Sequence, residues 1–222
     1  MDFFRPHAVA ISDVDAAVIW ALAYTVGPLS GRAVARSSGV PKTTASRALK
    51  RLVEHGLVVA LGRGDAAVTL YVLNEDHLAA EPVLALLDLR GALRRRIYQE
   101  IKGWKPRPED AWLLGAAARA QGGTANDVFV LVVKPPDVDQ WPRRWAGQVR
   151  ALEDRVRRWT GNEAIVMDVS REELECEVEE GGPLAEELEQ GAVQVFGHGT
   201  YVLPRPARAR PPRLDRAPHI DR

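Results

Sequence analysis

The sequence predicts a protein of class α+β that is divided into two domains. Three observations support this prediction. The chain has 222 residues, which is room for two small domains. Its first half shows helical apolar spacing followed by a strand hairpin, and its second half mixes apolar strands with amphipathic helices. Hydrophobic residues make up 46 % and charged residues 27 %, a composition that excludes fibrous and wholly disordered proteins.

The sequence also excludes several other classes of protein. A single cysteine, Cys176, excludes a disulfide framework and a cysteine-rich zinc site. The histidines show no metal-ligand spacing, so we expect no metal site. Acidic residues interrupt the apolar stretch at the N-terminus, unlike a signal peptide, and no run of about 18 apolar residues could span a membrane. We therefore expect a soluble, cytoplasmic protein that does not contact membranes.

The first predicted domain, residues 1–80, begins with three helices. Residues 14–24 are apolar on all sides, which indicates a buried helix. Ser30 is a suitable N-cap for a short second helix, and Gly39 allows a turn after it. A third helix is predicted over residues 41–55, because proline is favoured at a helix start and Gly56 is suited to the position after its end.

The third helix separates an apolar side from a polar side. The apolar side consists of Ala45, Ala48, Leu49, Leu52 and Val53. The polar side chains, which offer hydroxyl donors and positive charges, are Lys42, Thr43, Thr44, Ser46, Arg47, Lys50 and Arg51. Hydroxyls can bond phosphates or base edges, and arginine can make a bidentate contact to guanine. Residues 30–63 hold seven basic residues and one acid, a local net charge of +6 that suggests a polyanionic partner.

A predicted hairpin follows the third helix. Residues 57–61 and 67–73 read as two strands, and Arg63 lies at the tip of the glycine-containing turn between them. Residues 12–74 as a whole resemble the winged helix-turn-helix of bacterial transcription regulators. The resemblance implies that the polar side of the third helix and Arg63 contact double-stranded DNA. The alternative is a winged helix that binds only protein, and the seven basic residues argue against it.

A connecting helix is predicted over residues 81–104. Its apolar residues recur at spacings of three and four and form one stripe. They are Leu86, Leu89, Leu93, Ile97 and Ile101. The stripe either packs against the protein's own domains or forms a dimer interface. Helix-turn-helix proteins usually bind DNA as dimers, so we expect a homodimer.

The second predicted domain, residues 105–203, places apolar strands at 111–114, 127–133, 164–169 and 193–196. A long amphipathic helix precedes the third strand. The segment LLGAAARA, then QGGTA, then NDVFVLVV resembles the minimal nucleotidyltransferase domain of the DNA polymerase β-like superfamily. The resemblance covers about residues 104–170. A winged helix followed by such a domain is also the layout of a group of actinobacterial proteins.

Residue by residue, the resemblance implies a degenerate domain. Gly115, Arg119 and Asp127 match the family pattern and form a possible nucleotide-binding remnant. Ala116 stands where the family has a phosphate-binding serine, and Phe129 stands where it has the second metal-binding carboxylate. Two carboxylates at i and i+2 share one face of a strand and can hold Mg²⁺, but a phenyl ring cannot. We therefore expect no catalytic residue, and no cofactor beyond weakly bound nucleotide.

Three functions follow as hypotheses. The first is a transcription regulator whose second domain serves in ligand sensing or dimerisation. The second is an active magnesium-dependent nucleotidyltransferase that uses Asp127. Asp168 is either its third carboxylate or an exposed acid at the end of a strand, and we favour the exposed acid. The third is a non-catalytic, antitoxin-like partner protein. Residues 204–222 are rich in proline and arginine and are predicted to be a disordered tail that adds phosphate contacts.

Overall fold

The computed structural model describes residues 1–62 and 68–197, so Arg63 at the predicted wing tip and the predicted tail over 204–222 lie outside the described residues. The described chain forms two compact units. The first unit comprises residues 7–88. The second unit comprises residues 1–6 together with 89–197.

The first unit contains three helices, a small sheet and a fourth helix. In chain order its elements are α1 (Asp13–Ala23), β1 (Leu29–Ser30), α2 (Gly31–Ser38), α3 (Lys42–Glu54), β2 (Val58–Leu61), β3 (Leu70–Leu73) and α4 (Ala80–Leu87). The strands pair antiparallel in the order β1-β3-β2. β1 is absent from the predicted elements, because two residues are too few to show a period.

Local sequence sets the ends of the first three helices. The Ser12 hydroxyl accepts a hydrogen bond from the Asp15 backbone N–H, and the Ser30 hydroxyl caps α2 through the Ala33 N–H in the same way. Gly39 ends α2 with φ +71°, a left-handed conformation that glycine adopts without steric cost. The three helices then enclose one apolar core, to which α3 contributes Ala45, Ala48, Leu49 and Leu52.

The helix predicted over residues 81–104 is in fact two helices. α4 ends at Leu87 and α5 (Leu89–Lys102) begins after Asp88, whose N–H bonds the Leu84 carbonyl at the end of α4. Leu87 packs in the core of the first unit, whereas α5 packs in the second. The apolar spacing continues across the boundary between α4 and α5, because both helices have leucines at helical intervals. The boundary between the units therefore falls after Asp88 instead of after residue 80.

The second unit is a four-stranded mixed sheet with helices on both faces. After α5 its elements are β4 (Asp110–Leu114), α6 (Gly115–Arg119), β5 (Val128–Val133), α7 (Pro142–Thr160), β6 (Ala164–Val169), α8 (Arg171–Glu180), α9 (Pro183–Glu189) and β7 (Val193–Phe196). The strand order is β6-β5-β4-β7. β5 and β6 are parallel and joined through α7, while β4 pairs antiparallel with both β5 and β7.

Alternation along β5 divides the second unit into three layers. Val128, Val130 and Val132 pack with α5 and α7 on one face, and Leu131 and Val133 pack with α8 and α9 on the other. The first layer also buries Phe3, a residue from the N-terminal segment, whose carbonyl accepts a hydrogen bond from Arg90. The short N-terminal segment is thus part of the core of the second unit.

Candidate nucleic-acid interface

The polar side of α3 is open to solvent. Ala45, Ala48 and Leu49 are buried beneath it. The exposed side chains are Lys42, Thr43, Ser46, Arg47, Lys50 and Arg51, and Thr44 is half-buried at the edge of the packed side. The helix therefore presents hydroxyl and cationic donors in one direction, the arrangement that a groove-reading helix needs.

The start of α3 offers further donors. Pro41 occupies the N-cap position and makes no side-chain hydrogen bond to the first turn. The first-turn N–H groups of a helix have no partners within the helix and carry its partial positive charge. They can therefore donate to a phosphate, next to the hydroxyl of Thr43 and the ammonium of Lys42.

The four cations of α3 differ in their surroundings. Arg51 pairs with the Asp15 carboxylate of α1, which also accepts a hydrogen bond from the Ser12 hydroxyl. This contact ties α3 to α1, so Arg51 acts first as a positioning residue. Lys50 lies 3.9 Å from the exposed Glu54 carboxylate, a weak (i, i+4) pair. Arg47 makes no ion pair within the part of the chain that the structure describes.

In the second unit, Gly115 and Arg119 meet at a single carboxylate oxygen. The Gly115 N–H lies 3.2 Å from Glu187 Oε2, and Arg119 Nη1 lies 2.7 Å from the same atom. Gly115 has φ +63°, and a Cβ added to it would lie 3.4 Å from the ring of Phe129. The two groups predicted to bind phosphate, the Gly115 N–H and Arg119, are therefore both bonded to α9. The sequence gives no signal for this role, since Glu187 is one of many glutamates in its segment.

Asp127 and Asp168, the two carboxylates considered in the sequence analysis, lie at different positions along the paired strands β5 and β6. Asp127 is half-buried before β5, and within residues 1–62 and 68–197 its side chain has no hydrogen bond or ion pair. Asp168 is exposed and accepts a hydrogen bond from Trp145 Nε1 at 2.7 Å, on the α7 side of the sheet. Phe129 packs on the opposite side. Among the described residues no three His, Cys, Asp or Glu side chains are grouped as metal ligands.

A partly buried ionic cluster joins β4 to α8. The Arg171 guanidinium bonds both Glu109 and the buried Asp110, and Asp110 also accepts from the Gln194 amide. Burial alone would lower the pKa of Arg171, but the hydrogen bonds and charges of Asp110 and Glu109 outweigh it and raise that pKa. The cluster is fully paired, so its role is to hold α8 on the sheet.

Comparison with known families bears on the first unit alone. Residues 16–62 match the family model of the IclR helix-turn-helix domain. No curated protein matches the chain in sequence. Within the described residues, no helix is both long and apolar enough to cross a membrane. The matched segment runs from within α1 through β1, α2, α3 and β2, and it includes the whole polar side of α3. Residues 16–62 are therefore an IclR-type helix-turn-helix DNA-binding domain, the kind of domain found in transcription regulators.

Proposed function

We propose that this protein is a transcription regulator that reads double-stranded DNA by placing α3 in the major groove. The observation that carries the proposal is the exposed polar side of α3 within the matched domain. Thr43, Arg47 and Lys50 lie at the centre of that side and are assigned to base edges and nearby phosphates. Lys42 and the uncapped first turn are assigned to the phosphate backbone. Ser46, Thr44 and Arg63 complete the proposed contacts, together with Arg51, which is also paired with Asp15.

Fluorescence anisotropy with duplex DNA tests this function. DNA from upstream of the protein's own gene is compared with a scrambled duplex of equal length over a salt series. We expect tighter binding to the upstream duplex. The logarithm of Kd should rise linearly with the logarithm of the salt concentration, because lysine and arginine side chains of the protein displace counterions from the DNA. Equal, weak binding to both duplexes would mean that α3 is only an electrostatic anchor. Measuring mass in solution in the same buffers tests the proposed homodimer.

The second unit is proposed to be a nucleotidyltransferase-like domain without catalysis that serves in ligand sensing or dimerisation. Two observations support the loss of catalysis. Phe129 puts a ring where a metal-binding carboxylate would be needed, and Glu187 holds both the Gly115 N–H and Arg119. A phosphate would have to displace a carboxylate that is already bonded to the same donors. An active transferase would need a different constellation of acids.

Replacing Glu187 tests the contact at this remnant. Glu187→Ala is expected to lower the free energy of unfolding by about 1 kcal/mol, because the Gly115 N–H and Arg119 lose a charged acceptor at a site that is partly exposed. Glu186→Ala is the matched control, since the neighbouring Glu186 is exposed. Urea unfolding followed by tryptophan fluorescence measures both, and equal effects would contradict the assigned role. Added ATP should stabilise Glu187→Ala more than the parent protein if the vacated donors can bind phosphate.

A further inference from the structure

The two helical layers of the second unit carry opposite charge. α5 and α7, on one face of the sheet, contain eleven lysines or arginines and three acids. α8 and α9, on the other face, contain one arginine and nine glutamates. The layers thus carry formal net charges of +8 and −8, which cancel in the neutral total of the chain. The basic layer cannot be recognised from charge totals along the sequence, because its two helices are separated by β4, α6 and β5.

The outer side of α7 bears a line of three arginines, Arg143, Arg150 and Arg157. They are seven residues apart and all exposed. Seven residues are nearly two helical turns, so the three side chains lie along one side of the helix at intervals of about 10.5 Å. The buried side of α7, with Trp145 and Leu152, faces the sheet. We call Arg143, Arg150 and Arg157 the α7 arginine stripe.

The α7 arginine stripe makes few stabilising contacts within its own unit. The arginines on the inner flank of the basic layer are engaged, since Arg155 pairs with Glu100 and Arg96 lies over the ring of Trp159. By contrast, Arg143 and Arg150 have no ion pair among the described residues.

The remaining charges near the stripe neutralise little of it. Arg157 lies 3.5 Å from Glu163, but both side chains are more than half exposed, so that pair is weak. Asp154 is the exposed acid on the same side of α7, while Arg144 and Arg158 add further exposed positive charge. The stripe therefore remains a strongly cationic surface.

We propose that the α7 arginine stripe binds the phosphate backbone of DNA next to the site that α3 reads. This inference rests on the proposed DNA-binding function. Guanidinium groups bond phosphate oxygens in bidentate fashion, and a line of them on a rigid helix suits a regular polyanion. DNA is the favoured polyanion because the same chain carries a DNA-binding domain. Once α3 is bound, the tethered stripe meets DNA at a high effective concentration.

The test compares the full-length protein with the triple variant Arg143→Gln, Arg150→Gln, Arg157→Gln. The duplex has about 40 base pairs, so that DNA extends on both sides of the α3 site. Loss of three phosphate contacts should weaken binding about 10- to 100-fold and lower the salt slope by about 2 to 3. Phosphate contacts carry no sequence information, so the ratio of upstream to scrambled affinity should stay unchanged. The matched Arg→Lys triple variant keeps the charge but loses the bidentate bonds, so it should retain the salt slope and most of the affinity.

Other outcomes separate this inference from the proposed function. If the parent protein prefers upstream DNA and the glutamine variant has the same affinity and salt slope, the stripe does not bind DNA, while the regulator function stands. If the parent protein binds neither duplex, the proposed function itself fails. If the triple variant loses affinity for single-stranded RNA but not for duplex DNA, the stripe is an RNA surface and the proposal is overturned. If the lysine variant is as weak as the glutamine variant, charge is not the cause and the proposal also fails.

Discussion

Replacing Arg47 with alanine is expected to weaken binding to the upstream duplex by about 10- to 100-fold and to reduce the preference over scrambled DNA. A bidentate contact from arginine to guanine contributes roughly 1–3 kcal/mol of discrimination. Arg47 lies at the centre of the exposed side of α3 and forms no ion pair among the described residues. Its removal therefore costs DNA contacts without breaking a contact that supports the fold. Anisotropy titrations against both duplexes at fixed salt measure the effect.

Two further variants show which kind of contact Arg47 makes. Arg47→Lys keeps the charge but cannot reproduce the planar guanidinium donor that makes two parallel hydrogen bonds. Compared with Arg47→Ala, it should therefore regain affinity for scrambled DNA but regain less of the preference for the upstream duplex. Arg51→Ala, one turn along α3, removes an arginine that is held by Asp15 and should change the preference less. If Arg47→Ala leaves both affinities unchanged, α3 is not the recognition helix in the way proposed.

Truncating a core leucine in each unit should destabilise that unit by about 2–5 kcal/mol. Leu49 of α3 is 1 % exposed and Leu152 of α7 is fully buried, and they belong to separate apolar clusters. Replacing either with alanine removes buried methyl groups and leaves a cavity whose cost depends on how far the neighbours relax. We expect Leu49→Ala to impair DNA binding and Leu152→Ala to destabilise the three-layer sheet.

The distribution of tryptophans allows the two effects to be separated. Trp20 belongs to the first unit, and the other five of the six tryptophans belong to the second. Tryptophan fluorescence during urea unfolding therefore follows mainly the second unit, while DNA binding reports on the first. Leu152→Ala should shift the fluorescence transition strongly and Leu49→Ala only slightly. Equal shifts would mean that the two units unfold as one cooperative body.

The helix-turn-helix could be predicted from sequence because its signals are local. Apolar spacing, a serine cap at Ser30 and glycines at Gly39 and Gly56 each act within a few residues, and they agree with one another. The split between α4 and α5 could not be predicted, because leucines continue at helical spacing across Asp88. Tertiary packing decides which leucines share a core, and the spacing of leucines along the chain does not indicate it.

The second unit shows a similar division between local and long-range information. Its strands appear in the sequence as apolar runs, and β6 and β7 have the bounds that the sequence predicts. α8 leaves no apolar pattern in the sequence, because its glutamates leave Leu174 as the one buried residue of the helix. The contact between Glu187 and Gly115, and the opposite charges of the two helical layers, depend on which elements become neighbours. Neither follows from spacing along the chain.

The membership of residues 1–6 in the second unit has a consequence for deletion experiments. The chain enters the second unit, leaves it for the first unit at residue 7 and returns at residue 89, so the first unit is an insertion with two covalent attachments. A fragment that begins at residue 89 would lack Phe3, which is fully buried. Its free energy of unfolding should fall by about 3–5 kcal/mol, as when a buried phenylalanine is truncated to alanine. Loss of function in such a fragment would report on a damaged core. A fair dissection removes residues 7–88 and joins the two flanking segments with a short flexible linker.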